Sequence, residues 1–405
     1  MLQSRHAAIA LLTALLMSGV APATAETTRA RDLGIPFEGT PGPLNAITDV
    51  AGVEVGHVTL IKGDGALEVG SGPVRTGVTA IHPRGKDSTD PVFAGWFTLN
   101  AAGEMTGTTW LEERGLLDGP IAITNTHSVG VVRDASVAWM VQHGWPAAWH
   151  APVVAETYDG ALNDINGFHV TREHALDAMA KASGGPVVEG AVGGGTGMVC
   201  NGFKGGIGTA SRTFEVLDGQ FTVGVLVQCN YNATGSGLRL GGKAVSEILP
   251  VGQHCFTDRS IERHNGSPYC DGTISDNAPE EPSRDGSIII VVATDAPLLP
   301  HQLRRLAKRP SLGLGRLGAT SEDGSGDIFI AFSTANPGLI SEKEKSQITM
   351  YPNNKLSIAF AATVQATEEA VVNAMVAAET VIGINGFRVS ELPEDQVRKI
   401  FTGTE

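Results

Sequence analysis

The chain is 405 residues long, 42% hydrophobic and 18% charged, with a formal net charge of −14. No Lys/Arg cluster offsets that acidity, which argues against nucleic acid and anionic membrane as partners. After the N-terminus, Gly, Thr and Asp break every long apolar run, so the composition reads as a globular protein in an aqueous compartment.

Arg5 and His6 open the chain, Ala7 to Val20 is almost wholly apolar, and Ala23-Thr-Ala follows. That is the layout of a secretory signal peptide over residues 1–25, with a mature start near Glu26 and a periplasmic or secreted destination. A membrane anchor is the competing reading, and the well-formed small-x-small site argues against it.

Short β-rich runs recur at Gly52–Thr59, Pro120–Thr124, Val153–Glu156, Phe221–Gln228, Ser287–Ala293, Asp327–Ser333 and Ser357–Val364. Several are continuously apolar, as in strands buried on both faces. Helical patterns alternate with them. Arg172–Lys181 follows Thr171 as N-cap, Leu298–Lys308 follows Asp295-Ala-Pro, and Glu368–Val381 follows Thr367 and stops at Gly383. The alternation predicts a layered α/β fold in one body, residues 26–405, with a strand order that spacing alone leaves open.

Four cysteines are present. Cys200 and Cys229 lie in apolar or Gly-rich runs and read as buried thiols. Cys255 and Cys270 flank a polar stretch and form a candidate disulfide in an exported protein, worth about 3 kcal/mol in the chain-entropy model. No Cys/His zinc spacing and no HExxH occurs, so neither a metal nor a cofactor is expected.

From about Gln253 to Arg284 the chain is polar and turn-rich, and reads as an exposed loop or linker. It ends at Asp285-Gly-Ser, where the most apolar run of the chain begins. A serine at the first position of a buried strand, preceded by a glycine, suits attack of the Ser287 hydroxyl on the Gly286 carbonyl. Cleavage between Gly286 and Ser287 would free an α-amine of pKa roughly 7.7–8.0, able to act as general base near neutral pH. From composition alone, an ordinary turn serine is the plainer reading.

The segments Val154-Ala-Glu-Thr-Tyr-Asp-Gly-Ala-Leu-Asn-Asp, Gly195-Thr-Gly-Met-Val-Cys-Asn-Gly-Phe-Lys-Gly-Gly, Val225-Leu-Val-Gln-Cys-Asn, Asp285-Gly-Ser-Ile-Ile-Ile-Val-Val-Ala-Thr-Asp-Ala-Pro and Gly324-Ser-Gly-Asp-Ile-Phe-Ile-Ala-Phe-Ser occur in that order. They closely resemble the L-aminopeptidase/D-Ala-esterase/amidase and β-peptidyl aminopeptidase family. The resemblance spans nearly all of the mature chain. It implies an αββα sandwich, layered like the N-terminal-nucleophile hydrolases but differently connected. It also implies self-cleavage into 26–286 and 287–405, and a homo-oligomer of the cleaved pairs, commonly a tetramer.

By motif, the resemblance makes Ser287 the nucleophile, Asn230 an oxyanion donor, Glu156 the acid for the substrate's free amino group, and Tyr158 a wall of the same pocket. Ser325 and Asp327 match the Ser-Gly-acid pair beside the nucleophile. Some β-peptidyl relatives carry Glu there, and Asp327 is one methylene shorter. The implied substrates are short peptides, amides or esters with a free amino end, L-α, D-Ala or β.

Other signals are weaker. The Gly193–Gly197 run lacks the spacing of a phosphate loop and reads as close packing. His127, after an apolar strand, reads as a pocket-lining or satisfied core residue. An acyltransferase of the ornithine-acetyltransferase type is a second reading, although those enzymes use threonine. An uncleaved periplasmic binding protein is a third.

Overall fold

β-branched residues and short apolar runs set the strands. They are β1 (Glu54–Lys62), β2 (Val74–His82), β3 (Val92–Ala101), β4 (Leu116–Leu117), β5 (Ile121–Asn125) and β6 (Val153–Thr157). A hairpin of β7 (Val199–Cys200) and β8 (Phe203–Lys204) leads into β9 (Gly206–Val216) and β10 (Gly219–Asn230). Short pieces β11 (Arg239–Leu240), β12 (Lys243–Ala244) and β13 (Cys255–Phe256) precede β14 (Ser287–Thr294), β15 (Gly326–Ser333), β16 (Val381–Ile382) and β17 (Phe387–Val389). The helices are α1 (Thr108–Arg114), α2 (Val129–Gln142), α3 (Arg172–Ala180), α4 (Pro300–Ala307), α5 (Pro310–Arg316), α6 (Ser357–Val376) and α7 (Glu394–Thr402). The structure is a computed structural model that describes residues 28–217, 219–274, 286–339 and 345–403. The expected signal peptide over residues 1–25, the start at Glu26, Asp285 and the end of the polar stretch lie outside the described residues.

Six strands pair in the order β4-β3-β15-β14-β10-β9, and four in the order β1-β2-β5-β6. Three apolar layers separate the elements. Ile289, Val291 and Ala293 of β14 join Ile121, Ile123 and Ala155 of the smaller sheet in the layer between the sheets. Ile288, Ile290 and Val292 pack on the opposite face with Ala370 and Ala374 of α6. Val78 and Ala122 pack with Val132 of α2 and Ala178 of α3 outside the smaller sheet. The stack is helix, sheet, sheet, helix: the expected αββα sandwich. β14 is buried on both faces, as its unbroken apolar run predicts. Each fully buried Ile or Val side chain there contributes roughly 1.5–3 kcal/mol.

One assignment differs. The run Ser357–Val364, expected as a strand, is the first half of α6, a 20-residue helix that also absorbs the helix expected from Glu368. A short apolar run does not distinguish a strand from a buried helix. Here alanine, the best helix former, recurs at 359, 361, 362, 366, 370 and 374. Thr367, expected as an N-cap, lies mid-helix, and its hydroxyl donates to the Thr363 carbonyl at 2.7 Å. The helix ends at Val376, before Gly383. Small residues let α6 lie close to the sheet: a Cβ on Gly208 would sit 2.0 Å from the Ala370 carbonyl oxygen.

The second difference concerns sulfur. Cys200 and Cys229, expected as thiols, are joined in a disulfide with Cα atoms 5.6 Å apart. Both lie in apolar runs because the bridge is internal, tying β7 to β10. Cys255 and Cys270 are also bridged, with Cα atoms 4.8 Å apart.

Candidate active site

Ser287 opens β14 between two partners. It pairs with Asn230, the last residue of antiparallel β10, and with Gly326, the first residue of parallel β15. Side chains alternate along a strand. Ser287 therefore shares a face with Ile289 and Val291 and looks into the gap between the sheets, where it is 4% exposed. Gly286 before it fits only as glycine: a Cβ there would sit 2.2 Å from the Asn230 carbonyl oxygen. The Gly286 carbonyl accepts a hydrogen bond from the Gly326 N–H at 3.0 Å.

The Asn230 amide is held by two backbone groups. Its Oδ1 accepts from the Val199 N–H and its Nδ2 donates to the Tyr158 carbonyl, each at 2.8 Å. These contacts fix which end is nitrogen, and they leave Nδ2 a second proton to give. Behind Val199 stands Lys204, whose wholly buried Nζ donates to the carbonyls of Gly195 (3.2 Å), Met198 (2.7 Å) and Gly205 (2.7 Å). Burial pushes the pKa of Lys204 down to about 7. The Cys200–Cys229 bridge ties the same two segments one residue away.

Glu156, near the end of β6, is 3% exposed. Its Oε1 accepts from the Glu104 N–H at 2.9 Å and its Oε2 from the Thr126 hydroxyl at 2.5 Å. Burial raises its pKa above 4.5, and the Thr126 hydrogen bond only partly offsets this. A buried carboxylate with two hydrogen-bond donors and no salt-bridge partner among the described residues suits a cationic group brought by a ligand. Tyr158 follows two residues later, 51% exposed, its ring lying over Gly160.

Ser287, Asn230, Glu156 and Tyr158 line one cavity of about 670 Å³. Ser325 and Asp327 bracket Gly326 but border a smaller neighbouring cavity of about 210 Å³ with Tyr231 and Ser321. The Ser325 hydroxyl donates to Asp327 at 2.7 Å. Burial raises the pKa of Asp327, while its bonds with Ser325 and Ser321 lower it. His127 is exposed and stacks on Phe168 at 6.0 Å; its neighbour Thr126 is the wall residue. The Gly193–Gly197 run packs tightly, with a Cβ on Gly194 falling 2.1 Å from Gln228 Oε1.

The sequence pattern of peptidase family S58 matches residues 45–389. This chain belongs to peptidase family S58. It is 57% identical over 392 residues to the beta-peptidyl aminopeptidase BapA of Sphingosinicella microcystinivorans, covering 96% of each chain. A Burkholderia sp. beta-aminopeptidase superposes with a TM-score of 0.78 at 46% identity, over 93% of this chain and 100% of that one. The L-aminopeptidase D-Ala-esterase/amidase of Ochrobactrum anthropi, described as a variant among the Ntn hydrolase fold, superposes with a TM-score of 0.80 at 43% identity, over 93% and 98%. Family membership makes the chain a peptidase, a hydrolase, and these relatives are aminopeptidases.

In this S58 peptidase the polar stretch is less open than its composition predicts. Its described part packs on β17, pairing Cys255 with Arg388 and Phe256 with Phe387, and Phe256 is buried. His254, His264 and Asn265 from this stretch join Phe387 in the cavity wall. No spacing rule singles out these histidines, because a disulfide and a distant strand bring them in. Lys204 carried a weak signal, as a lone cation inside a Gly-rich apolar run.

Proposed function

We propose that the chain is an exported, self-processing aminopeptidase that uses Ser287 as nucleophile. It removes N-terminal residues, β-amino acids among them, from short peptides, amides or esters. The meeting of Ser287, Asn230 and Glu156 in one cavity carries this reading. The 57% identity to a beta-peptidyl aminopeptidase over nearly the whole chain supports it.

Self-processing begins with addition of the Ser287 hydroxyl to the Gly286 carbonyl carbon. Collapse breaks the Gly286–Ser287 C–N bond, leaving an ester and a free Ser287 amine. Water then hydrolyses the ester, giving fragments Glu26–Gly286 and Ser287–Glu405. In turnover the freed amine takes the hydroxyl proton while Oγ bonds to the substrate carbonyl carbon. The free Nδ2 proton of Asn230 meets the developing oxyanion, and Glu156 holds the substrate ammonium by a charge-assisted bond. The leaving amine departs with the proton, and water releases the acyl group. The N-terminal signal supports export, and the family resemblance supports an assembly of cleaved pairs.

Intact mass under denaturing conditions, together with assays on a free-amine amide and its N-acetyl form, tests the proposal. Two fragments, one starting at Ser287, and turnover of the free amine alone are expected. Active protein that remains one chain overturns it.

A further inference from the structure

We propose that Lys204 is a positioning residue for the chemistry at Ser287: through the peptide group that joins Met198 to Val199, it aims and polarises the Asn230 amide toward the oxyanion. The proposal rests on the aminopeptidase reading above, with Asn230 as oxyanion donor.

The links are consecutive. Lys204 Nζ donates to the Met198 carbonyl at 2.7 Å. That carbonyl and the Val199 N–H belong to one peptide group, and the N–H donates to Asn230 Oδ1 at 2.8 Å. Oδ1 and Nδ2 belong to one side-chain amide, and Nδ2 gives one proton to the Tyr158 carbonyl at 2.8 Å. Its other proton is left for the cavity that Asn230 lines with Ser287. Hydrogen bonds in such a chain polarise one another. A cation drawing on the Met198 oxygen makes the Val199 N–H a stronger donor, and a stronger bond to Oδ1 makes the Nδ2 protons more positive. The same bond to Oδ1 keeps the amide from turning over.

Two of the three carbonyls around Nζ do not need Lys204 as a partner. The Met198 carbonyl already accepts from the Gly205 N–H at 2.9 Å, and the Gly195 carbonyl from the Met198 N–H at 3.3 Å. What Nζ adds is charge. Its three carbonyl partners match the three protons of an ammonium. No acidic side chain pairs with it among the described residues, so no carboxylate cancels its field. Burying a cation without a counter-ion is costly, and an apolar side chain would fill the same space without that cost. Among the described residues no Lys or Arg lines the cavity, so the field of Lys204 reaches the oxyanion from behind the Asn230 amide and not from the wall.

The test uses purified, self-processed enzyme, with kcat and KM measured on a free-amine amide at one fixed pH. Lys204→Met keeps an unbranched apolar stem and removes the charge. Its kcat should fall about tenfold, the worth of one charge-assisted hydrogen bond, with KM within about twofold of wild type. Made in Asn230→Ala, the same substitution should change kcat by less than about twofold, because the end of the chain is gone. Lys204→Gln, uncharged but still a donor, should lie between wild type and Lys204→Met. An equal fall in both backgrounds makes Lys204 a structural residue and overturns the proposal, as does wild-type kcat in folded Lys204→Met. Hydrogen exchange on wild type needs neither variant: a protected Val199 amide is expected, and one that exchanges like an exposed amide breaks the middle link and overturns the proposal. Failure of wild type on every free-amine substrate would instead remove the aminopeptidase reading, and full kcat in Asn230→Ala would remove its oxyanion donor.

Discussion

The Gly326 N–H donates to the Gly286 carbonyl oxygen at 3.0 Å, across the parallel pairing of β15 with β14. The oxygen that would become anionic if Ser287 attacked its own preceding peptide thus already faces a backbone donor. A fixed donor at such a point stabilises charge without reorganisation. On the other edge of β14, the antiparallel pairing with β10 sets Ser287 opposite Asn230, so one strand end would serve both the proposed cleavage and later turnover.

Processing should depend on the space at Gly286. A Cβ there would sit 2.2 Å from the Asn230 carbonyl oxygen and 2.6 Å from the Tyr231 Cα. Both are backbone atoms and cannot rotate away. Gly286→Ala should slow self-cleavage by about tenfold or more, read as the ratio of intact chain to fragments over time. Ser287→Ala should remain one inactive chain. Normal processing of Gly286→Ala would remove the close approach from the account.

Glu156→Gln keeps the size of the side chain and both contacts, because the Thr126 hydroxyl can turn to accept. It removes only the charge. kcat/KM on free-amine substrates should fall about tenfold to a hundredfold, the value of a charge-assisted bond, while self-cleavage survives. Burial raises the Glu156 pKa above 4.5, so activity should fade as pH drops through that raised value, and the acid limb should vanish in the variant. Stability moves the other way. A carboxyl whose folded-state pKa is raised stabilises below its unfolded pKa and loses that contribution as pH rises through the folded one. An unchanged acid limb in Glu156→Gln would assign the limb elsewhere.

Asn230→Asp preserves the acceptor for Val199 but loses the Nδ2 protons. Loss of one oxyanion donor should cut kcat by about a hundredfold to a thousandfold with little change in KM. Measured on cleaved enzyme, a change confined to KM would make Asn230 a binding residue instead.

Both disulfides should be found by peptide mapping of exported protein without reductant. The loop closed by Cys255–Cys270 spans 15 residues, and its bridge is worth about 3 kcal/mol in the chain-entropy model. The Cys255→Ser/Cys270→Ser pair should therefore lower the melting temperature measurably. Free alkylation of any of the four cysteines in the native exported enzyme would contradict the pairing.

Local signals were enough for much of this molecule. The apolar run after Ser287 marked β14, and the glycine before it marked the junction, because burial on both faces and a close backbone approach each leave a trace in the nearest residues. The order of motifs carried the family resemblance and with it the αββα layers. Ser357–Val364 misled because a short, mostly apolar run suits a strand and a buried helix alike. Only packing against β9 and β10 through Gly208 and the alanines of α6 decided between them. The partners of Asn230, the contact of Asn385 with His264 and the bridge from Cys200 to Cys229 join residues about 30 to more than 120 positions apart. Such contacts arise from strand order, which local periodicity does not encode, so the tertiary structure alone placed Lys204 behind the Asn230 amide and turned a polar linker into a cavity wall.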